Sequence, residues 1–383
     1  MKHVFLIAGE PSGDRLGAAL MAGLKALHPG IRFSGIGGTE MEAEGLASLF
    51  PMEVLSVMGL AEILPRLPDL LRRRDEAAHA VIAAGPDALI TIDSPDFCLR
   101  VAAKVRHSAP RLPIAHYVAP SVWAWRPARA QRMARSVDHV LALLPFEPPY
   151  MEAAGMTCDF VGHPVAAEPR PTEAEVTAFR ARHGLDGGRI ALVLPGSRRS
   201  EVSRLAPIFG AALEFMPENV QVVIPTLPHL RETLEEESAR WPIRPVVLTE
   251  RDDKRAAFAA ADAALAASGT VSLELAAADT PMVVAYDMNW LSWQILSRMV
   301  KLDTVTLVNL VTGRRAVPEF LGPACKPGPI GAALARLLTV PSEADRQRAA
   351  LSEAMEALGR GGEPPGLRAA RSVTKFWRSP AAK

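Results

Sequence analysis

The sequence predicts an α/β protein built from two Rossmann-like domains that face each other across a cleft. Short apolar runs alternate with longer segments of helical period along most of the 383 residues, which is typical of βαβ units and a parallel sheet. A proline-rich stretch at residues 164–171 separates a first series of these units from a second. We therefore place the domains at residues 1–166 and 167–362, and we expect a C-terminal helix near residues 363–378 to return to the first domain.

The strands are predicted from apolar runs that stop at turn residues. They are residues 4–8, 31–34, 88–92, 114–118 and 140–144 in the first series and residues 190–194, 220–224, 246–248, 263–266 and 282–286 in the second. The first helix, predicted at residues 15–28, places Leu16, Leu20 and Leu24 on one stripe, as packing on a sheet requires. Ligands of such sheets bind outside the carboxyl ends of the strands, so the loops there are the candidate sites.

Composition excludes several classes of protein. A formal charge of +1 argues against nucleic acid as the main partner, because proteins that follow phosphate backbones carry a basic excess. Cys98, Cys158 and Cys325 are too widely spaced for a metal-ligand pair, and they favour a reducing cytoplasm over a disulfide framework. The first apolar run is too short for a secretory signal, and no run approaches the ~18 residues of a membrane span. Any contact with a membrane would therefore be at its surface.

The GEPSGD loop after the first strand is a candidate ligand-binding loop. Gly9 and Gly13 allow the backbone to approach a ligand, and the helix start that follows offers free N–H groups. The acids Glu10 and Asp14 would repel a pyrophosphate, which disfavours a dinucleotide enzyme. The alternative is a purely structural turn in which Ser12 or Asp14 is the N-cap of the helix.

Two carboxylates, Asp93 and Asp96, follow the apolar strand at residues 88–92, which Pro95 helps to end. A carboxylate at the carboxyl edge of a central strand is placed to take a proton from an attacking hydroxyl. Asp96 also suits a helix cap. Asp93 has no such structural explanation, because a charge that ends a buried strand costs free energy unless it is paired. Asp93 is therefore the first candidate for a catalytic base and Asp96 the second.

A tryptophan-rich run follows the strand at residues 114–118. Ser121, Trp123 and Trp125 precede the basic Arg126 in a chain with only 5% aromatic residues. These side chains could line a sugar or acyl site. Equally, the tryptophans could serve packing, which is their commoner role.

In the second domain, an LPGSR run joins a strand to a helix. Gly196 and Ser197 can present N–H groups to an anion, and Arg198 adds a bidentate charge for phosphate. This combination indicates a diphosphate site. The alternative is a helix capped by Ser200 with arginines in solvent, which explains the serine but not the placement of the glycine and arginine.

A second small-residue turn, Ser268, Gly269 and Thr270, also ends a strand and begins a helix. Glu274 lies one turn inside that helix, where a carboxylate could accept both hydroxyl protons of a ribose. An ordinary first-turn acid is the alternative for Glu274 alone. Asn309 stands among apolar neighbours, and a buried amide needs partners that a nucleotide could supply.

Two segments, residues 58–74 and 290–301, combine Leu, Ile, Met or Trp with cations. Apolar residues beside cations suit the boundary of an anionic bilayer. From the sequence alone, core-facing helices with solvated arginines are the favoured interpretation.

Taken together, the motifs resemble the lipid-A-disaccharide synthase family, which is glycosyltransferase family nineteen. The matching runs are GEPSGD at Gly9, VMG at Val57, IDSPDF at Ile92, HYVAPSVWAWR at His116, LPFE at Leu144, VGHP at Val161, LPGSR at Leu194, ASGT at Ala267 and PMVV at Pro281. They follow the family order over most of the chain. A short GSR or SGT run alone would mean little.

The resemblance implies a GT-B fold and an inverting, metal-independent glycosyltransferase at the cytoplasmic face of the inner membrane. It would transfer diacylglucosamine from UDP-2,3-diacylglucosamine to the 6-hydroxyl of lipid X, releasing UDP. UDP is part of the donor, so no cofactor is expected. The essential family aspartate falls on Asp93 and the essential arginine on Arg198, whereas Glu274 and Asn309 match positions near the nucleotide. The GEPSGD loop, Met58, Ser121 and Trp123 are assigned to the acceptor side, and a homodimer is compatible with the sequence.

Two rival functions remain at this stage. One is another GT-B enzyme of UDP-sugars, such as an epimerase or a soluble glycosyltransferase, which would act on UDP-N-acetylglucosamine. The other is a non-catalytic nucleotide-binding adaptor at the membrane, which would bind UDP without releasing any from an acylated donor. The pair of acids and the full set of motifs argue against the adaptor.

Overall fold

The computed structural model describes residues 1–55, 60–123, 128–288 and 303–378. They form two compact units, Met1–Ala167 with Gly361–Lys383, and Glu168–Arg360. The first change of unit falls beside the predicted boundary at residues 166 and 167. The segment after Arg360 belongs to the first unit, where we expected the C-terminal helix to return.

Within the described residues, unit 1 alternates short parallel strands with helices. Its strands are His3–Ala8 (β1), Arg32–Ile36 (β2), Ala88–Ile92 (β3), Ile114–Tyr117 (β4), His139–Ala142 (β5) and Thr157–Phe160 (β6). Its first helices are Pro11–Leu27 (α1), Thr39–Ala43 (α2), Leu60–Ala84 (α3), Pro95–Ser108 (α4), Ala128–Met133 (α5) and Pro148–Glu152 (α6). The strands form one sheet in the order β2-β1-β3-β4-β5-β6.

Unit 2 repeats this architecture. Its strands are Arg189–Leu194 (β7), Val220–Pro225 (β8), Val246–Leu248 (β9), Ala263–Ala267 (β10), Met282–Tyr286 (β11) and Glu319–Leu321 (β12). Its helices are Glu173–His183 (α7), Arg199–Ala212 (α8), Arg231–Ser238 (α9), Arg251–Ala260 (α10), Val271–Ala277 (α11), Leu307–Thr312 (α12), Pro327–Thr339 (α13) and Pro341–Ala357 (α14). The sheet order is β12-β11-β10-β7-β8-β9, again with every pair parallel.

Each sheet has a topological switch point, where the chain turns from building one side of the sheet to building the other. In unit 1 it lies between β1 and β3, and in unit 2 between β7 and β10. Ligands of open α/β sheets bind at the carboxyl ends of the strands beside such a point. The loops that begin at Gly9, Asp93, Pro195 and Ser268 follow these four strands, so the topology selects the same loops as the sequence patterns.

The central strands of unit 1 are buried on both faces, because side chains alternate between two apolar layers. Phe5 and Ile7 pack with helices α3 and α4 on one face, whereas Val4 and Leu6 pack with α1 on the other. A last helix, Pro365–Arg378 (α15), lies against α1. The two helices approach closely at Gly366, where a Cβ atom would come within 2.4 Å of the Ala19 carbonyl oxygen.

Some predicted boundaries were wrong for local reasons. Helix α1 begins at Pro11 with Glu10 as its N-cap, not at Arg15, because proline fits the first helical turn. Only Gly9 and Glu10 of the GEPSGD run therefore lie between the strand and the helix. The edge strands β6 and β12 were not predicted, since they are short and half-buried and lack a continuous apolar run.

No helix within the described part of the chain is long and apolar enough to cross a membrane. Met58 and residues 290–301 lie outside the described residues. In α3, the three arginines at residues 72–74 each form an ion pair with an acid of the same helix. The same helix packs Ala77, Ala78 and Val81 into the core, which favours the core-facing interpretation, although Arg73 and Arg74 are only 21% and 27% exposed.

Candidate active site

The switch point of unit 1 brings the GEPSGD residues to Asp93. Ser12 Oγ donates a hydrogen bond to Asp93 Oδ2 at 3.3 Å, and Ser94 Oγ donates to Glu10 Oε1 at 3.4 Å. A Cβ atom on Gly9 would lie 2.6 Å from Ser94 Oγ, so only glycine allows this approach. Gly9, Glu10 and Ser12 therefore lie near Asp93 within this unit.

The backbone around Asp93 is strained. Asp93, Ser94 and Val118 have φ values of 52°, 41° and 81°, although none is a glycine. Main-chain hydrogen bonds hold this geometry, from Asp93 N–H to the Tyr117 carbonyl and from Val118 N–H to the Leu141 carbonyl. Non-glycine residues in such regions cost about 1–3 kcal/mol each and concentrate at functional sites. The strain thus marks the ends of β3 and β4 as a candidate site.

A cavity of about 270 Å³ opens beside this strained backbone. Its lining residues are Asp93, Pro95, Val118, Ala119, Pro120, Ser121 and Arg129. Asp96 is 92% exposed and accepts a hydrogen bond from Arg129 at 3.3 Å. Ser94, not Asp96, is the N-cap residue of α4. The cavity therefore favours Asp93 over Asp96 as the group that meets a substrate.

The carboxyl of Glu10 has a raised pKa, first because it is partly buried and second because Asp93 carries negative charge nearby. Desolvation and a neighbouring like charge both disfavour a second anion. Glu10 therefore retains a proton more readily than an isolated glutamate.

Asp14 has a structural role and does not line the cavity. Its buried carboxylate accepts hydrogen bonds from the N–H groups of Gly38, Glu40 and Met41, at 2.8–3.1 Å, and so caps helix α2. The assignment of Asp14 to the acceptor side is corrected accordingly. Gly13 is buried where α1 meets the end of β3, and a Cβ atom there would lie 3.3 Å from the Ile92 carbonyl oxygen.

Trp123 packs within unit 1. Its indole N–H donates to Glu147 Oε1 at 3.3 Å, and its ring meets Phe146 edge-on with centroids 5.2 Å apart. Glu147 also accepts from the N–H groups of Leu143 and Leu144, and burial raises its pKa to about 7. The sequence reasoning quoted the LPFE run but missed the role of its glutamate as the partner of Trp123.

In unit 2, the hydrogen-bond donors of the LPGSR turn bind the carboxylate of Glu201, which lies in the helix that follows. Glu201 Oε2 accepts from the N–H groups of Ser197 and Arg198 at 3.1 and 3.3 Å, and Oε1 pairs with the Arg198 guanidinium at 3.0 Å. Gly196 adopts a φ of 123°, which favours glycine. The donors that we expected to face a diphosphate therefore hold a carboxylate here. The N-cap residue is Arg198, so the proposal of Ser200 is also corrected.

The second turn of unit 2 lies at the end of β10. Gly269 and Thr270 are exposed, and Thr270 is the N-cap residue of α11. Glu274 forms an ion pair with Lys254 at 2.6 Å, and its side chain is 39% exposed. Ser268, Gly269, Thr270 and Glu274 therefore lie together beside the switch point of this sheet.

Asn309 has protein partners. Its Oδ1 accepts from the Val317 N–H and its Nδ2 donates to the Val317 carbonyl, both at 2.9 Å. A further bond from Nδ2 reaches Thr304 Oγ1 at 3.2 Å. The buried amide therefore has the partners that it needs within the protein, from the backbone of a segment that the sequence pattern did not connect to it.

Within the described ranges, no three His, Cys, Asp or Glu side chains are grouped so that they could hold a metal ion.

Comparison with known proteins points to one family. Residues 4–363 match the model of a family described as lipid-A-disaccharide synthetase. Lipid-A-disaccharide synthase of Ruegeria pomeroyi is 59% identical over 97% of this chain and 95% of its own length. The synthase of Rhodospirillum centenum is 49% identical over 97% of this chain and 93% of its own.

A solved structure shows the same fold at low identity. UDP-GlcNAc 2-epimerase from Neisseria meningitidis, bound to UDP-GlcNAc, superposes with a TM-score of 0.65 at 11% identity, covering 98% of this chain and 99% of its own. This likeness concerns the fold alone. With the two parallel sheets, it confirms the predicted α/β class and the GT-B fold.

Proposed function

The chain belongs to the lipid-A-disaccharide synthase family, and we propose that it transfers diacylglucosamine from UDP-2,3-diacylglucosamine to the 6-hydroxyl of lipid X. The products are a β-1,6-linked disaccharide 1-phosphate and UDP. The observation that carries the proposal is Asp93, which ends the central strand β3 at a switch point and lines a cavity with strained walls.

In the proposed reaction, Asp93 accepts the proton of the acceptor hydroxyl. The hydroxyl oxygen attacks the anomeric carbon while the bond from that carbon to the diphosphate oxygen breaks, so the configuration inverts. Ser12 supports this role, because its hydroxyl bonds to Asp93 and can orient the carboxylate.

On the donor side, we propose that Arg198 and the N–H groups of Ser197 and of the turn at Ser268 to Thr270 hold the diphosphate. Donors that are fixed before the reaction stabilise the charge that develops on a leaving diphosphate, as a metal does in other enzymes. Glu201 accepts hydrogen bonds from the N–H groups of Ser197 and Arg198 and pairs with the Arg198 guanidinium. Its carboxylate would therefore move when UDP binds. We propose a reaction that needs neither a metal nor a cofactor.

We also propose that the protein works at the cytoplasmic face of the inner membrane, attached to the surface of the anionic bilayer. The support is chemical, because both substrates carry acyl chains that remain in a bilayer. A homodimer is part of the same proposal. Flotation of the purified protein with vesicles of anionic and of neutral lipid tests the attachment, and sedimentation equilibrium tests the dimer.

The central experiment is to incubate the purified protein with UDP-2,3-diacylglucosamine and lipid X and to measure disaccharide and UDP by mass spectrometry. We expect both products in equal amounts. A parallel reaction with UDP-N-acetylglucosamine tests the epimerase and the soluble-transferase alternatives. A folded protein that converts UDP-N-acetylglucosamine but forms no disaccharide would overturn the proposal.

A further inference from the structure

We infer that Glu147 is a positioning residue, which holds the loop of residues 118–123 beside Asp93 through the indole of Trp123. This inference rests on the proposed function, because it concerns the wall of the cavity that the acceptor would enter. The proposed reaction gives the LPFE run no role, and this inference supplies one.

Glu147 is a carboxylate in the core of unit 1, where it is 3% exposed. A buried carboxylate is costly unless hydrogen-bond donors surround it. One oxygen accepts from the N–H groups of Leu143 and Leu144 at 3.1 and 3.0 Å, which fixes the side chain to its own turn. The other oxygen accepts from Trp123 Nε1 at 3.3 Å. Although Glu147 is the N-cap residue of α6, its carboxylate thus joins two loops.

Trp123 is suited to receive this bond, because an indole has one polar atom, and that atom can only donate. The same ring packs edge-on against Phe146, at an interplanar angle of 88°. Two consecutive residues of the LPFE run therefore hold the indole, Glu147 through the N–H group and Phe146 through a perpendicular ring contact. The contact is directional, so it determines where the end of the loop lies.

The loop of residues 118–123 forms one wall of the Asp93 cavity. Val118, Pro120 and Ser121 all line it, and Val118 has the unfavourable φ of 81°. A strained conformation persists only where its surroundings maintain it. The Val118 N–H bonds to Leu141 in β5, and Trp123 bonds to Glu147 just after β5. Both ends of the loop are thus attached to β5 and the turn that follows it.

The first test is Glu147→Gln, which keeps the shape but places an amide opposite N–H donors. We expect the KM for lipid X to rise about tenfold, as for the loss of one charge-assisted hydrogen bond. The Kd for UDP should stay within about twofold of wild type, because the affected loop belongs to the acceptor side. The matched control is Glu152→Gln, an exposed acid at the end of α6, which should leave both constants unchanged.

The second test is a double-mutant cycle with Trp123→Phe, which keeps an aromatic ring against Phe146 and removes only the N–H donor. If Glu147 acts through Trp123, the double variant should be about as impaired as either single variant. The inference would be overturned if the fold-changes in KM of the two single variants multiplied in the double variant. It would also be overturned if Trp123→Phe left the KM for lipid X unchanged. Loss of thermal stability in Glu147→Gln with a wild-type KM would do the same, since it indicates a structural role only.

Hydrogen exchange supplies a readout that does not need turnover. The amides of Val118 and Val122 bond to Leu141 and to Pro120, and we expect both to lose protection in Glu147→Gln and in Trp123→Phe. Unchanged protection in these variants would contradict the positioning role. Absence of disaccharide from wild-type protein would instead contradict the proposed function, so the two failures can be told apart.

Discussion

At the scale of single residues, the site depends on side chains whose surroundings differ although their sequence positions look alike. Asp93 and Asp96 lie three positions apart, yet one lines a cavity and the other is almost fully exposed. Asp14 and Glu10 share the GEPSGD run, yet Asp14 caps a helix and Glu10 lies near Asp93. Charge type alone therefore does not separate a catalytic from a structural acid.

Asp93→Asn should lower kcat by about 10²- to 10⁴-fold, the range for loss of a general base, because the amide cannot accept the hydroxyl proton. Disaccharide formation under saturating donor and acceptor is the measurement. The matched control is Asp96→Asn, which removes an exposed carboxylate of the same run and should retain near-wild-type turnover. Near-wild-type kcat in a folded Asp93→Asn protein would remove the base assignment.

His116 should make the protein sensitive to acid. It is buried in β4, its ring bonds to Thr91 Oγ1 at 2.7 Å, and burial lowers its pKa from 6.5 to about 4. Because the folded state favours the neutral ring, this stabilisation is full above about pH 6.5 and is lost as the pH falls towards 4. We expect the thermal midpoint to fall less between pH 7 and pH 5 in His116→Gln than in wild type.

The control for this measurement is His79→Gln, which replaces an exposed histidine of α3. Its midpoint should follow the wild-type dependence on pH. If the thermal midpoint falls equally with pH in wild type and in His116→Gln, another group is responsible for the acid sensitivity.

At the scale of elements, the start of helix α8 combines a structural and a proposed functional role. Glu201 caps the helix through the N–H groups of Ser197 and Arg198, and it neutralises the Arg198 side chain. A helix N-terminus with a nearby cation is also where a diphosphate binds. The carboxylate and a diphosphate would compete for the same donors.

Glu201→Gln should therefore bind UDP more tightly, because its neutral amide competes less well for Arg198. The ion pair is largely exposed on the arginine side, so the gain should not exceed about fivefold in Kd. Isothermal titration with UDP measures it, with Glu214→Gln, an exposed acid of the same unit, as the control. Weaker binding would mean that Glu201 organises the turn for UDP instead of competing with it.

At the scale of the whole molecule, the chain builds two α/β units of the same design and returns to the first one at its end. The return requires close contact between α15 and α1, where Gly366 faces the backbone of Ala19. The C-terminal helix is therefore part of the core of unit 1, and its side chains Ala369, Ala370 and Val373 are buried with those of α1.

Gly366→Ala should destabilise unit 1 by about 1–3 kcal/mol, because the added methyl would overlap the Ala19 carbonyl. A loss of stability is informative, because replacing glycine by alanine within a helix normally increases stability. Urea unfolding measures the change. Gly187→Ala is the control, because no atom lies within 4 Å of a Cβ there, and its stability should stay close to wild type.

The elements of both sheets could be predicted largely from local pattern. The runs at residues 88–92 and 282–286 coincide with β3 and β11, because buried parallel strands consist of continuous apolar stretches. The edge strands β6 and β12 could not be predicted, because their short sequences, TCDF and EFL, contain no continuous apolar run. The four loops at the switch points were also found, because glycine, serine and charged residues there interrupt apolar runs.

What the sequence by itself determined was the α/β class, the alternation of elements, and Asp93 as a carboxylate at the end of a buried strand. Only the tertiary structure decided how the polar groups are paired. It joined Glu147 to Trp123, Asn309 to Val317, Asp14 to α2 and Glu201 to its own helix start. The physical reason is that local pattern depends on neighbours along the chain, whereas the partner of a buried polar group depends on which segments folding brings together.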